Sequence, residues 1–371
     1  MLAETLLSSR SYLSNQDRRL CLAVVGCGRA AIRYAETLQS YPHLQLTAAY
    51  DLVPERAQAF AARFGGRTCD SLDDLLADDS IEVVVNLTDP ASHHYVTAQS
   101  LAAGKHVYSE SPLALNHVEA WELVEQAERL GRRLCCAPPS FLGEAQQTVW
   151  RMIRQGRLGA VRVVYADVNW GDLEAWHPDP LLASRMGILF DVGVYPLTLL
   201  TAIFGPARRV LASAKVLQPE RPAHDGQPSF PGSPDFVVAT IDLADGVVAR
   251  LTANSYVGCH AKHSGIEFHG DQGSLYLANW QEFDAAVEFA EFGGNYQPVP
   301  LVRAPYRGVE WGRALVEMAD AIAQGRPQRA TGFHAAHVLE VWWAIETSFK
   351  KGRPVSIKSS FTPPLPLEWA L

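Results

Sequence analysis

Between residues 20 and 137 the chain alternates apolar runs with amphipathic stretches. Leu20 to Val25 is an unbroken apolar run ended by Gly26-Cys27-Gly28, and Ile32 to Leu38 then places its apolar residues at helical spacing. A second apolar run, Leu44 to Tyr50, precedes Pro54 to Phe64, a predicted helix with Pro in its first turn and Gly65-Gly66 as its stop. Ser71 is placed to cap a short helix ending near Leu76, and Ile81 to Leu87 is an apolar strand broken only by Glu82 and Asn86. A helix over about residues 91–103, a strand over 105–108, a helix over about 116–130 closed by Gly131, and a short strand over 133–137 complete the series. Continuous apolar strands between helices belong to a parallel sheet covered on both faces. The pattern therefore predicts a doubly wound α/β domain.

From Glu144 the pattern changes. A helix to about Gln155 leads into Val161 to Val168, which alternates polar and apolar residues as a strand. Residues 236–243, 247–253, 265–268 and 274–277 do the same, with Asp245-Gly246 and Asp271-Gln272-Gly273 as hairpin-like turns. This predicts an α+β domain with a large, mostly antiparallel open sheet and late helices over about 311–324 and 334–350. Residues 218–235, rich in Pro and Gly, read as a loop. The expected division is an arm over 1–19, a doubly wound domain over 20–140, and an α+β domain over 141–371.

Composition narrows the function classes. The net charge is −8, and no Lys/Arg block with interleaved aromatics offsets it, which argues against nucleic acid and anionic membranes as partners. No apolar run approaches the roughly 18 residues of a membrane span. The first residues lack the basic-then-apolar order of a signal peptide, so a cytoplasmic location is expected. The six cysteines show no CxxC spacing, and neither a zinc site nor a disulfide framework is expected.

The candidate chemistry begins at Gly26-Cys27-Gly28-Arg29-Ala30-Ala31, a strand-to-helix turn. Gly26 allows the turn, Gly28 admits a pyrophosphate, and Ala31 keeps helix and strand close. The phosphates are then expected on the helix N-terminus. Asp51, 20 residues past Ala31 at the end of the second strand, is placed for a ribose 2′-hydroxyl and argues for NAD. Arg56, one turn further, could accommodate a 2′-phosphate, so NADP is the lesser alternative. Thr88 to His94 and Ser109 to Pro112 follow strand ends and should face the cofactor crevice.

Taken with Ala103-Gly104-Lys105-His106-Val107, Glu110-Ser111-Pro112, Asp191-Val192-Gly193-Val194-Tyr195 and Gly270-Asp271-Gln272-Gly273, this chain resembles the glucose-fructose oxidoreductase, inositol dehydrogenase and MocA family over about residues 20–370. The resemblance implies a Rossmann domain, a C-terminal open sheet used for oligomer contacts in a homodimer or homotetramer, and hydride transfer between a nicotinamide and a sugar, sugar derivative or cyclitol. It further implies that Glu110 and His93 lie near the cofactor, and that Asp191 and Tyr195 are polar catalytic groups, with Tyr195 as general acid or base. Four apart, Asp191 and Tyr195 would share a face at a helix start. Trp170, Trp176, His177 and Arg185 precede that element and could line a sugar pocket.

The chain departs from the family at one position. Where the family has the Lys of Glu-Lys-Pro, this sequence has Ser111. A hydroxyl cannot supply an ammonium's stabilisation of a developing alkoxide, a loss of roughly 3 kcal/mol of barrier or more by analogy with oxyanion donors. Three accounts stay open: an enzyme whose reaction tolerates the loss, a binding regulator that kept the pocket, and a Lys-to-Ser engineered variant.

Overall fold

The five apolar runs of the first domain pair into one parallel sheet, with a short exposed strand, Arg67–Thr68, added at its edge. In the computed structural model, which describes residues 19–171, 187–219, 221–222, 228–229, 233–258 and 261–371, these strands are β1 (Leu20–Val25), β2 (Leu44–Tyr50), β3 (Arg67–Thr68), β4 (Val83–Asn86), β5 (His106–Ser109) and β6 (Leu134–Cys136). Their order is β3-β2-β1-β4-β5-β6, with every pair parallel. The intervening helices are α1 (Arg29–Leu38), α2 (Pro54–Phe64), α3 (Leu72–Leu76), α4 (His93–Ala102) and α5 (His117–Leu130). Leu22, Val24, Val83, Val85 and Tyr108 are buried in the sheet, as strands covered on both faces require. The ends follow local chemistry. Ser71 accepts from the Asp74 N–H at 3.0 Å, Asn116 caps α5 through the Glu119 N–H at 3.0 Å, and Gly131 closes it at φ +62°.

After α6 (Glu144–Arg154), the strands are β7 (Val161–Asn169), β8 (Ala207–Lys215), β9 (Phe236–Leu243), β10 (Val248–Asn254), β11 (Gly265–Gly270), β12 (Gly273–Leu277), β13 (Val287–Glu291), β14 (Gln297–Pro298) and β15 (Val355–Ser356). They form a nine-stranded sheet in the order β14-β13-β12-β11-β7-β10-β9-β8-β15. One pair departs from the hairpin pattern. β7 and β10 run parallel, with Val163 opposite Val248 and Asn169 opposite Asn254. The connection between them carries α7 (Val194–Phe204), β8 and β9, so β10 comes beside β7 by a crossover whose last step is the β9–β10 hairpin at Asp245-Gly246. The inner face is covered by α6, α7 and α9 (Gly332–Lys351), and α8 (Arg313–Gln324) packs beside β6. Tyr165, Leu211 and Val248 stand exposed on the outer face.

A buried ionic network joins the two sheets' territories. The Glu144 carboxylate, 1% exposed, takes Arg313 Nη1 at 3.0 Å and Arg303 Nη2 at 2.6 Å. Arg313 also pairs with Glu310, which accepts from the Tyr41 hydroxyl of the first domain at 2.5 Å. Such a cluster offsets its desolvation only while it is complete.

Three histidines give the fold an acid limit. Burial lowers His334 to about 3, His337 to about 4 and His106 to about 4; neighbouring His337 adds to the first effect, and Arg132 and Arg133 to the last. Between those values and the ordinary 6.5, the unfolded chain binds protons that the folded chain refuses, so stability is full above about pH 6.5 and falls as pH drops towards about 4. A melting-temperature series over that window should show the decline. His334→Gln, which keeps a partner for the Thr201 hydroxyl at 2.8 Å, should flatten it.

Candidate active site

The cleft lies beyond the C-terminal ends of β1, β2, β4 and β5, where ligands of doubly wound sheets bind. At the end of β1 the chain turns at Gly26, whose φ of +89° suits glycine. A Cβ there would also stand 2.6 Å from the Leu87 carbonyl oxygen and 2.7 Å from the Thr88 nitrogen. Gly28 differs. A Cβ built on it meets nothing within 4 Å, so the backbone is bare towards the cleft. Gly28 is the N-cap of α1 and offers no side-chain acceptor, which leaves the first amides of Arg29, Ala30 and Ala31 for an anion. Ala31 is fully buried against the sheet.

Asp51 stands beside this turn, just past the end of β2. Its carboxylate accepts from the Cys27 N–H at 2.7 Å and from the Val53 N–H at 2.8 Å, which fixes it beside the glycine turn. Burial and the nearby Asp51 charge raise the Cys27 thiol to about 12, so it stays protonated. Arg56 is exposed on the first turn of α2. These residues fit the dinucleotide expected from the sequence: a small-residue turn, free helix amides and a positioned carboxylate.

On the other side, Glu110 follows β5. Its Oε2 accepts from the Ser111 N–H at 2.6 Å, and its Oε1 accepts from the Tyr34 hydroxyl at 3.2 Å. Tyr34, on the inward face of α1, lies 3.0 Å oxygen to oxygen from the Tyr108 hydroxyl. Burial raises the Glu110 carboxyl to about 7; the Ser111 and Tyr34 hydrogen bonds oppose the rise and the Asp191 charge adds to it. Both buried phenols are raised well above their ordinary range, first by burial and then by Glu110.

Tyr195 reaches the same place from the second domain. Burial, then Glu110, then Asp191 raise its phenol, while Arg33 of α1 acts in the opposite sense. Its ring packs on Trp280 with centroids 5.2 Å apart, and Trp280 packs on Trp170 at 5.8 Å. Ser111 lines a small apolar cavity together with Cys136, Leu189, Val194 and Leu339.

Two expectations are corrected here. Asp191 and Tyr195 do not share one helix: Asp191 ends a short helical segment, Val192 and Gly193 form a turn, and α7 begins at Val194. The Val192 and Gly193 N–H groups both return to the Ile188 carbonyl, the second as a wide i→i−5 turn, which ends the first segment and breaks it from the second. His93 does not present a ring nitrogen to the cleft. It is 1% exposed, with Nδ1 2.6 Å from the Pro112 carbonyl and Nε2 3.0 Å from the Thr88 carbonyl. Burial favours the neutral ring, whose single N–H donates to one of these two carbonyls where the two loops meet. Trp176, His177 and Arg185 lie outside the described residues.

Residues the pattern did not single out complete the site. Asn86 sends Nδ2 to the His93 carbonyl at 3.0 Å and to the Thr97 hydroxyl, while its Oδ1 accepts from the Thr88 hydroxyl at 2.7 Å. Its polar break in the β4 run was the available signal. Tyr34, Tyr108 and Trp280 carried no signal beyond ordinary aromatic core. Among the described residues no three His, Cys, Asp or Glu side chains converge as a metal site, and no helix is long and apolar enough to cross a membrane.

Residues 20–137 match the family described as "Oxidoreductase family, NAD-binding Rossmann fold" and residues 146–276 match the "GFO/IDH/MocA C-terminal domain", together more than half of the chain. Among curated relatives, the "uncharacterized oxidoreductase ORF334" of Rhizobium meliloti is 29% identical over 263 residues, covering 69% of this chain and 73% of its own. A dTDP-3,4-didehydro-2,6-dideoxy-alpha-D-glucose 3-reductase of Streptomyces violaceoruber is 28% identical over 261 residues, covering 70% and 73%. Among solved structures, the fold matches an aldose-aldose oxidoreductase from Caulobacter crescentus with a TM-score of 0.79 at 20% identity, over 91% of this chain and 100% of that one. The glycine turn with its fixed Asp51, the strand-end cleft and the two matching domains place the chain in the GFO/IDH/MocA family of NAD(P)-dependent oxidoreductases.

Proposed function

We propose that this protein transfers hydride between NAD and a sugar, sugar derivative or cyclitol, and that its site is suited to reducing a carbonyl. The observation that carries the reading is the convergence of Glu110 and Ser111 from the first domain with Tyr195 and Asp191 from the second. The sugar-related names of the Streptomyces and Caulobacter relatives support the substrate class.

When bound, the nicotinamide gives or takes the hydride. The amides at the start of α1 hold the pyrophosphate, Gly28 lets it approach, and Asp51 takes the ribose hydroxyls and disfavours a 2′-phosphate. Every proton step falls to the chain. Tyr195 keeps its proton at neutral pH because burial and two carboxylates oppose the phenolate. A neutral phenol donates a hydrogen bond to a carbonyl oxygen that is gaining negative charge, so it suits reduction. Abstracting a proton from an alcohol would need the phenolate, which a lysine at 111 would have stabilised. Ser111 contributes one hydroxyl donor in its place.

The reading includes a homo-oligomer joined through the exposed outer face of the nine-stranded sheet; sedimentation that finds only monomer removes that part. Nicotinamide absorbance tests the activity, with NADH and NADPH against a panel of keto-sugars, sugar nucleotides and oxidised cyclitols, run beside Ser111→Lys. Turnover of a panel member by the unsubstituted protein, with NADH preferred, is expected. Turnover by Ser111→Lys alone would replace this reading with that of a nucleotide- and sugar-binding protein disarmed at one position.

A further inference from the structure

The Glu110 carboxyl has surroundings unlike those of an ordinary acid. It is half-buried, accepts from one backbone N–H and one phenol, and has no Lys, Arg or His pairing with it among the described residues. The groups that face it are Tyr34 from α1, Tyr108 from β5, Cys136 from β6, whose Sγ lies 3.7 Å from the Glu110 carbonyl oxygen, and Asp191 and Tyr195 from the second domain. Arg33 of α1 acts on Tyr195 and stacks over Trp311 at 5.1 Å. All the groups that press directly on Glu110 are therefore acidic or neutral.

Sheet order says where a cation would arrive. Asp51 ends β2 and Glu110 follows β5, on opposite sides of the Gly26 turn at β1. A dinucleotide with its ribose at Asp51 and its pyrophosphate on α1 extends its nicotinamide towards β4 and β5. The Glu110 N–H is bonded to the Asn86 carbonyl at the end of β4 at 2.9 Å, so the carboxyl belongs to that end of the cleft.

We propose that Glu110 couples its own protonation to the charge of the nicotinamide, standing as carboxylate beside the oxidised ring and as carboxylic acid beside the reduced one. This rests on the cofactor reading above. An adjacent positive charge favours the carboxylate, and its loss favours the acid. In reduction a C–H bond of the reduced ring breaks, and its electron pair forms the new C–H bond at the carbonyl carbon. The carbonyl π pair moves to oxygen, which takes a proton from Tyr195. Glu110 replaces that proton as the ring beside it becomes cationic. Oxidation runs the same steps backwards and leaves the hydroxyl proton on Glu110. A carboxyl raised to about 7 is poised to shift either way at neutral pH, which an ordinary glutamate is not.

The test needs no substrate. Isothermal titration of NAD+ and of NADH at pH 7, each in two buffers of different ionisation enthalpy, counts the protons exchanged on binding. NAD+ should release, and NADH take up, as much as about half a proton each. In Glu110→Gln both counts should fall to zero while both nucleotides still bind. Equal counts for NAD+ and NADH in the unsubstituted protein, or a difference that persists in Glu110→Gln, overturns the proposal. If Glu110→Gln does not fold, the unsubstituted protein decides by itself: the NAD+/NADH difference should peak near pH 7, and a peak below about pH 5 overturns it. Absence of any binding heat is a different result, which rejects the cofactor reading and this inference with it.

Discussion

Tyr195→Phe is expected to lower turnover by about a hundred- to ten-thousand-fold, the range for loss of a positioned acid or base, while NADH affinity stays within about threefold. The ring is held by Trp280 at 5.2 Å, which in turn rests on Trp170, so phenylalanine keeps the packing and removes only the hydroxyl. With serine at 111, no ammonium shares the work of stabilising the alkoxide, and the phenol carries most of it. Steady-state kinetics with a reduced panel member measure the effect. A change of less than about fivefold would mean that the proton reaches the substrate oxygen from another donor, with Tyr195 as packing alone.

The second large effect is on stability. Glu144→Ala should cost about 3–5 kcal/mol, because it takes one of two carboxylates from the largely buried Arg313 guanidinium in a low-dielectric joint. Glu310 and the Leu142 carbonyl remain as partners, but Glu310 already receives the Tyr41 hydroxyl. Arg303, 42% exposed on its side chain, returns to water at little cost. Denaturant unfolding followed by tryptophan fluorescence measures the change. A loss below about 1 kcal/mol would show that the network compensates internally, and that Tyr41 and Glu310 hold the joint without Glu144.

The first domain was legible because its signals are local. Gly26, Gly28, Ala31 and Asp51 fall within 26 residues, and the turn, cap and strand-end chemistry each act within a few residues of sequence. The cap at Ser71 and the stop at Gly131 stand where the sequence placed them. The second domain was less legible. β8, Ala-Arg-Arg-Val-Leu-Ala-Ser-Ala-Lys, is rich in residues that favour helix, and its pairing with β9 and β15 makes it a strand. The parallel β7–β10 pair depends on a crossover that no turn residue announces.

The site shows the same division. Ser111 was visible as a substitution, but the environment of Glu110 was not, since Tyr34 lies 76 residues away in sequence and meets it only through sheet order. Nor could sequence spacing disclose that His93 places both ring nitrogens at the Thr88 and Pro112 carbonyls, or that Asp191 and Tyr195 are separated by a turn. Tertiary contacts decide these points, and local propensity carries no record of them.

The central claim is that the Gly26 to Ala31 turn holds a dinucleotide, and an NADH fluorescence titration of Gly28→Ala beside the unsubstituted protein tests it most directly. A Cβ at position 28 meets nothing within 4 Å and its φ is −79°, so the variant should fold and melt as before. The added methyl stands where the pyrophosphate approaches, and NADH should bind at least about tenfold more weakly, a loss of about 1.4 kcal/mol. Equal affinity in the two proteins, or no saturable binding to either, would contradict the account.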